Sequence, residues 1–162
     1  MIDWISSKVA MTLAALVLLA GVVSFFLAQQ NQSRHDALQA IADQAAAYVD
    51  EVSRYSGEFA ARMSLGPGGT LELPDRAAGH PYALTLYRSY IVAGLDGDRA
   101  FAILGDPIHL WQPAAGNHTS GEVDRQDSLH PSLSMESGGS VVVSRRALTV
   151  DGAQTYGTFA FP

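Results

Sequence analysis

The chain has 162 residues, no cysteine and a formal net charge of −6, a length that suits one ordinary domain behind an N-terminal segment. The acidic balance argues against nucleic acid as a partner, because phosphate binding needs a basic stripe. The absence of cysteine excludes disulfides, thiolate catalysis and cysteine-ligated metal sites.

An apolar run without any charged residue extends over residues 9–28. About 20 helical residues, each rising 1.5 Å, cover the roughly 30 Å of a bilayer's hydrocarbon core. We expect an uncleaved anchor or, equally well, the core of a bundle of identical helices. A cleaved signal peptide is the less favoured alternative, because Phe26 stands where cleavage needs a small side chain. The residues expected to form this membrane or filament core are Val9, Leu13, Leu16, Val17, Leu19, Gly21, Val23, Phe26 and Leu27.

Over residues 36–63 apolar residues recur at spacings of three and four, while charged residues fill the opposite face. The first stop signal is Gly66-Pro67. The sequence therefore predicts a helical region over residues 1–64 and a second domain over residues 65–162. The residues expected to pack the amphipathic part of the helix against this domain are Leu38, Ile41, Ala45, Val49, Val52, Tyr55, Phe59 and Met63.

From residue 70 the pattern becomes typical of β-strands. Residues 70–73 alternate as a strand does, and the β-branched and aromatic segments from Tyr82 to Trp111 indicate a meander with a hairpin turn at Asp96-Gly97. Two further strands flank a second hairpin turn at Asp151-Gly152. The polar residues 113–140 are interpreted as a long exposed loop. The predicted fold class is thus α+β, with a long N-terminal helix and a small, mostly antiparallel sheet of five or six strands.

The sequence contains no recognisable catalytic motif. Its five histidines lack the spacing of a metal site, no G-x-S-x-G elbow occurs, and the glycine-rich segment near residue 67 has no P-loop lysine. We expect a protein that is not an enzyme and that needs neither a cofactor nor a metal. A membrane-tethered enzyme whose site no motif reveals is left open as a third class.

Two Asn-x-Ser/Thr triplets occur, beginning at Asn117 and at Asn31. They are candidate N-glycosylation sites if the domain is exported, and Asn117 lies in the segment interpreted as an exposed loop.

The order of a hydrophobic helix, an amphipathic continuation and a small β domain resembles the lollipop layout of type IV pilin-like proteins, archaeal ones in particular. The leader-cleavage motif and the Glu that many pilins carry at mature position 5 are absent, since Ile5 stands there and Asp3 is the nearest acid. The resemblance implies a structural subunit or minor component of an archaeal-type pilus or related surface filament. Such a subunit would associate with copies of itself, or with other pilin-like subunits, through its N-terminal helix.

The alternative is a single-pass membrane anchor that carries a partner-binding or ligand-binding domain and forms no filament. In both cases we expect the N-terminal helix at the cell membrane, or inside an extracellular filament, and the C-terminal domain outside the cytoplasm.

Overall fold

The computed structural model describes residues 2–162, with side chains at residues 8, 9 and 11–162. The chain divides into two compact units, residues 1–34 and 35–162. Helix α1 (Ile2–Ser53) begins in the first unit and ends in the second. The other elements are β1 (Phe59–Leu65), β2 (Leu71–Leu73), β3 (Ala83–Tyr87), β4 (Tyr90–Leu95), β5 (Asp98–Ile103), β6 (Asn117–His118), α2 (Ser120–Leu129), β7 (Ser132–Glu136), β8 (Ser140–Val150) and β9 (Ala153–Phe161). The fold is α+β, a long helix followed by a mostly antiparallel β domain, as predicted.

The strands form two sheets, whereas one sheet of five or six strands was predicted. A five-stranded sheet has the order β2-β1-β8-β6, with β9 also paired to β8, and a four-stranded sheet has the order β5-β4-β3-β7. The β1–β2 and β6–β8 pairs are parallel, and the other pairs are antiparallel. The predicted number of strands was too low, partly because residues 82–94 form two strands, β3 and β4, joined by a turn at Arg88 and Ser89.

Helix α1 ends at Ser53, so the prediction of a helix to the end of the apolar stripe was wrong. Tyr55 lies in the connection after the helix, and Phe59 and Met63 lie in β1. The guanidinium of Arg145 donates a hydrogen bond to the Ser53 carbonyl oxygen, which places a cation at the negative end of the helix. From Phe59 to Met63 burial alternates with the period of two that a strand requires.

The second part of α1 lies along the open edge of the four-stranded sheet. The His35 imidazole is 3.1 Å from the Asp98 carboxylate at the start of β5. Asp50 accepts a 3.0 Å hydrogen bond from the Gly105 N–H just beyond β5. The two stretches between these contacts are each roughly 23 Å long, so the helix and the strand run side by side. The helix therefore covers an edge that could otherwise pair with another chain.

One hydrophobic core joins α1 to the inner faces of both sheets. Five of the residues expected to pack the helix against the domain are buried in this core: Leu38, Ile41, Ala45, Val49 and Val52. Met63 is buried there too, but from β1, and Phe59 packs against its margin. Tyr55 is exposed and stacks on the Phe59 ring at 4.3 Å.

Residues 113–140 are not a loop, because they contain β6, α2 and β7. Thr119 caps α2 in a capping box, in which its side chain accepts from the Glu122 N–H and Glu122 accepts from the Thr119 N–H. Val123 packs against a second apolar cluster formed by Trp111, Leu148, Phe159 and Phe161. Helix α2 therefore contributes to a cluster separate from the main core.

The two predicted hairpin turns are confirmed. Asp96 and Gly97 join β4 to β5 with φ angles of 50° and 90°, and Asp151 and Gly152 join β8 to β9 with φ angles of 51° and 83°. Glycine and aspartate tolerate this left-handed backbone better than most residues.

Candidate functional site

The most distinctive surface of the molecule is the apolar segment of α1 over residues 9–28. Its expected core residues Val9, Leu13, Leu16, Val17, Leu19, Val23, Phe26 and Leu27 are all exposed in the single chain. Four consecutive residues, Leu16 to Leu19, are each more than half exposed. At about 100° per residue they reach around most of the helix, so no side of this segment is polar enough to face water.

Gly21 lies in the middle of this apolar segment. Apart from its chain neighbours and the backbone of its own helix turn, a Cβ atom built at Gly21 would meet nothing within 4 Å. A helix of this length and composition is sufficient to cross a membrane, and none of its most apolar window is buried by the rest of the molecule. The segment can therefore be covered either by lipid or by other helices.

A groove of about 530 Å³ lies beside α2, in the second unit. Trp111 and Phe161 belong to its apolar lining, and the side chains of Gln112, His118 and Gln126 belong to its polar lining. The lining is mixed, about half polar and half apolar, and the groove has the volume of a small-molecule site.

The wall of this groove is held in place by Asp127. Its Oδ1 accepts hydrogen bonds from Trp111 Nε1 at 2.8 Å and from His109 Nδ1 at 2.7 Å, and its Oδ2 lies 3.4 Å from an Arg88 Nη. The His109 ring stacks on Phe159 with centroids 5.0 Å apart. Asp127 thus connects α2 to the segment after β5 and to the β3–β4 turn. The His109–Asp127 pair therefore has a structural role.

Two groups near these elements have shifted pKa values. The hydrogen bonds from Thr119, above all the one from its backbone N–H, lower the pKa of the Glu122 carboxyl. Burial, with a smaller contribution from the Asp75 carboxylate, raises the pKa of Tyr82, whose hydroxyl donates a 2.7 Å hydrogen bond to the Pro74 carbonyl oxygen. Both shifts therefore follow from local burial and hydrogen bonding.

The two candidate glycosylation residues, Asn31 and Asn117, are exposed. Asn31 lies within α1, whereas Asn117 lies in β6, where its Oδ1 accepts a hydrogen bond from the Gly152 N–H at 3.1 Å. The side-chain nitrogen, to which a glycan would be attached, is not used in that bond.

Sequence reasoning missed the groove and its support. The pattern Thr119-x-x-Glu122 is a capping-box signature and could have located α2. The pairing of Asp127 with His109 and Trp111 had no local signal, because those residues are 18 and 16 positions away in sequence.

Within the described residues, no group of three or more His, Cys, Asp or Glu side chains is placed to hold a metal ion. No protein-family model matches the sequence, and neither the curated proteins nor the solved structures contain a match.

Proposed function

We propose that this chain is a structural subunit or minor component of an archaeal-type pilus or a related surface filament. It has no enzymatic activity, and it associates with copies of itself or with other pilin-like subunits through residues 9–28. The β domain lies outside the cytoplasm, first at the membrane and then on the filament surface.

The observation that carries this proposal is the exposure of apolar side chains around the helix from Leu16 to Leu19. Neighbouring helices in a filament core supply apolar cover on every side, as lipid does before assembly. The order of helix and β domain along the chain is also that of a pilin-like subunit. An exposed glycine at position 21 permits close approach of a neighbouring helix.

One observation favours the alternative function, a membrane-anchored domain that binds a ligand or partner and forms no filament. The groove beside α2 has the size of a ligand site, and its lining includes the amides of Gln112 and Gln126. In that case lipid alone covers the apolar segment and the domain acts as a single copy.

Substitution of Leu16 by lysine separates the two functions. One charge at the helix centre costs about 2.5–3.5 kcal/mol, less than the summed preference of the segment's leucine, valine and phenylalanine residues for lipid. We expect the Leu16→Lys protein to remain in the membrane fraction. A lysine between packed helices has no water and no partner, so filaments seen by electron microscopy of the wild type should be lost.

The matched control is Ala40→Lys, since Ala40 is exposed on the part of α1 outside the apolar segment. This variant should assemble like the wild type. Filaments that persist in Leu16→Lys would contradict the proposal, and a wild type that never forms multimers would favour the anchored binding domain.

A further inference from the structure

The outer face of the four-stranded sheet carries large apolar side chains that are exposed in the described chain. Strand residues alternate between the two faces, and the inner-facing ones, such as Leu84 and Ile91, are fully buried in the core. On the outer face Phe101 is 54% exposed and Ile103 is 83% exposed. An antiparallel sheet with one solvated face normally presents polar residues there, so this face has the character of an interaction surface.

The strand register and the stacking of Tyr87 on Tyr90 place the outer-facing residues in three rows that run from β7 to β5. The rows are Ser132, Tyr87, Tyr90 and Ile103; then Ser134, Thr85, Val92 and Phe101; then Glu136, Ala83, Gly94 and Arg99. Small polar side chains therefore occupy the β7 side in the first two rows, and large apolar ones the β5 side. An acid and a base stand at the two ends of the third row.

We infer that this outer face packs against the same face of a second copy of the chain, about a two-fold axis parallel to the strands. That rotation lays β5 of one copy over β7 of the other. Phe101 then faces the small Ser134 of the second copy, and Arg99 faces its Glu136. Because the contact is isologous, both pairings occur twice.

Charge complementarity is the main reason for choosing a second copy as the occupant. Arg99 and Glu136 are both exposed, and neither makes an ion pair with any residue that the structure describes. The rotation brings each charge to its opposite without placing like charges together. A two-fold axis perpendicular to the strands would instead place Arg99 opposite Ile103.

The direction of the axis also suits two chains that enter one membrane. The part of α1 from His35 to Asp50 runs alongside β5, so it is parallel to the proposed axis. The apolar part of α1 precedes His35 in sequence, and His35 lies at the same end of both copies. The perpendicular axis would place the two His35 residues at opposite ends.

The contact is small. Three rows and four strands make a face of roughly 15 Å by 15 Å. Its area is well below the ~800 Å² that each partner buries in a stable soluble dimer. The pairing is therefore weak in free solution and depends on tethering, which raises the effective concentration of one copy near another. The pairing should therefore be tested with the chain inserted in a membrane.

Cysteine cross-linking tests the geometry directly, because the natural chain contains no cysteine. Full-length Arg99→Cys and Glu136→Cys proteins are reconstituted together in phosphatidylcholine vesicles and treated with a short bismaleimide. We expect at least 10-fold more cross-linked dimer in this mixture than with either variant alone, since identical positions are separated by three strand spacings, about 14 Å. The matched control mixes Asp124→Cys with Arg125→Cys, an acid and a base exposed on α2.

A charge exchange provides the second arm. Arg99→Glu and Glu136→Arg should each reduce cross-linking between Thr85→Cys and Val92→Cys chains about 10-fold, and the double exchange should restore it to within twofold. Yields equal to the α2 control, preferential cross-linking of residue 99 to itself, or failure of the double exchange to restore the yield would each overturn the inference. The outcome does not depend on filament formation, because no residue of the proposed contact belongs to residues 9–28.

Discussion

Residues 9–28 and residues 38–52 belong to the same helix, yet their side chains meet opposite surroundings. Val17 is 71% exposed, whereas Val49 is fully buried between α1 and the sheets. The later stretch has charged residues on one face and apolar residues on the other, so one domain can cover it. The earlier stretch is apolar on all sides, and a single β domain offers no cover of that kind. Whether a stretch of α1 can be buried by its own β domain therefore depends on how its apolar side chains are distributed around the helix, more than on how many there are.

The largest difference between the two stretches is expected when the same substitution, valine to aspartate, is placed in each. Val49→Asp buries a carboxylate without a partner, and we expect it to lower the free energy of unfolding of the β domain by more than about 4 kcal/mol. Val17→Asp should leave that free energy unchanged. Urea unfolding of the detergent-solubilised chain, followed by circular dichroism, measures both values. Equal losses in the two variants would contradict the division of the helix.

A smaller effect is expected where α2 is held by polar contacts. Asp127→Ala removes two hydrogen bonds from a mostly buried carboxylate and leaves the Trp111 N–H without its acceptor. We expect a loss of about 3 kcal/mol in the free energy of unfolding. Asp124→Ala on the exposed side of the same helix is the control and should have almost no effect. A similar loss in both variants would show that Asp127 does not anchor α2.

The smallest effect is a pH dependence confined to α2. The pKa of Glu122 is lowered in the folded chain, so its stabilising contribution is present above its ordinary value of 4.5 and is lost as the pH falls below that value. No titratable residue lies within residues 9–28, so acid should not affect that segment. The Glu122→Gln variant keeps a capping side chain but does not titrate, and its urea midpoint should fall less between pH 7 and pH 3 than the wild-type midpoint. An identical fall in both proteins would remove this role from Glu122.

Much of the fold could be predicted from local sequence. The absence of charge over residues 9–28, the stripe from Leu38 to Val52 and the two Asp-Gly turns each depend on residues close together in the chain. The end of α1 could not be predicted in this way, because the side chain that contacts its last carbonyl oxygen, Arg145, lies 92 residues after Ser53. The spacing of Val52, Tyr55, Phe59 and Met63 fits a helix as well, which is why the stripe appeared to continue.

Of the candidate functional surfaces, only the apolar segment over residues 9–28 was predictable from the sequence. Helix α2 has few apolar residues and none that is fully buried, so periodicity gave no sign of it and only the capping box could have. The groove requires α2 to meet the segment after β5 and the end of β9, which no local pattern specifies. The rows of the outer sheet face likewise depend on strand pairing, since Arg99 and Glu136 are far apart in sequence.

The most direct test of the central claim is the number of copies in each particle when the full-length wild-type chain is extracted from membranes in mild detergent. Native mass spectrometry together with electron microscopy gives this number. The account predicts multimers or rods held together by residues 9–28, and the Leu16→Lys substitution should reduce them to single chains. Uniform single chains, one in each detergent micelle, for the wild type itself would contradict it.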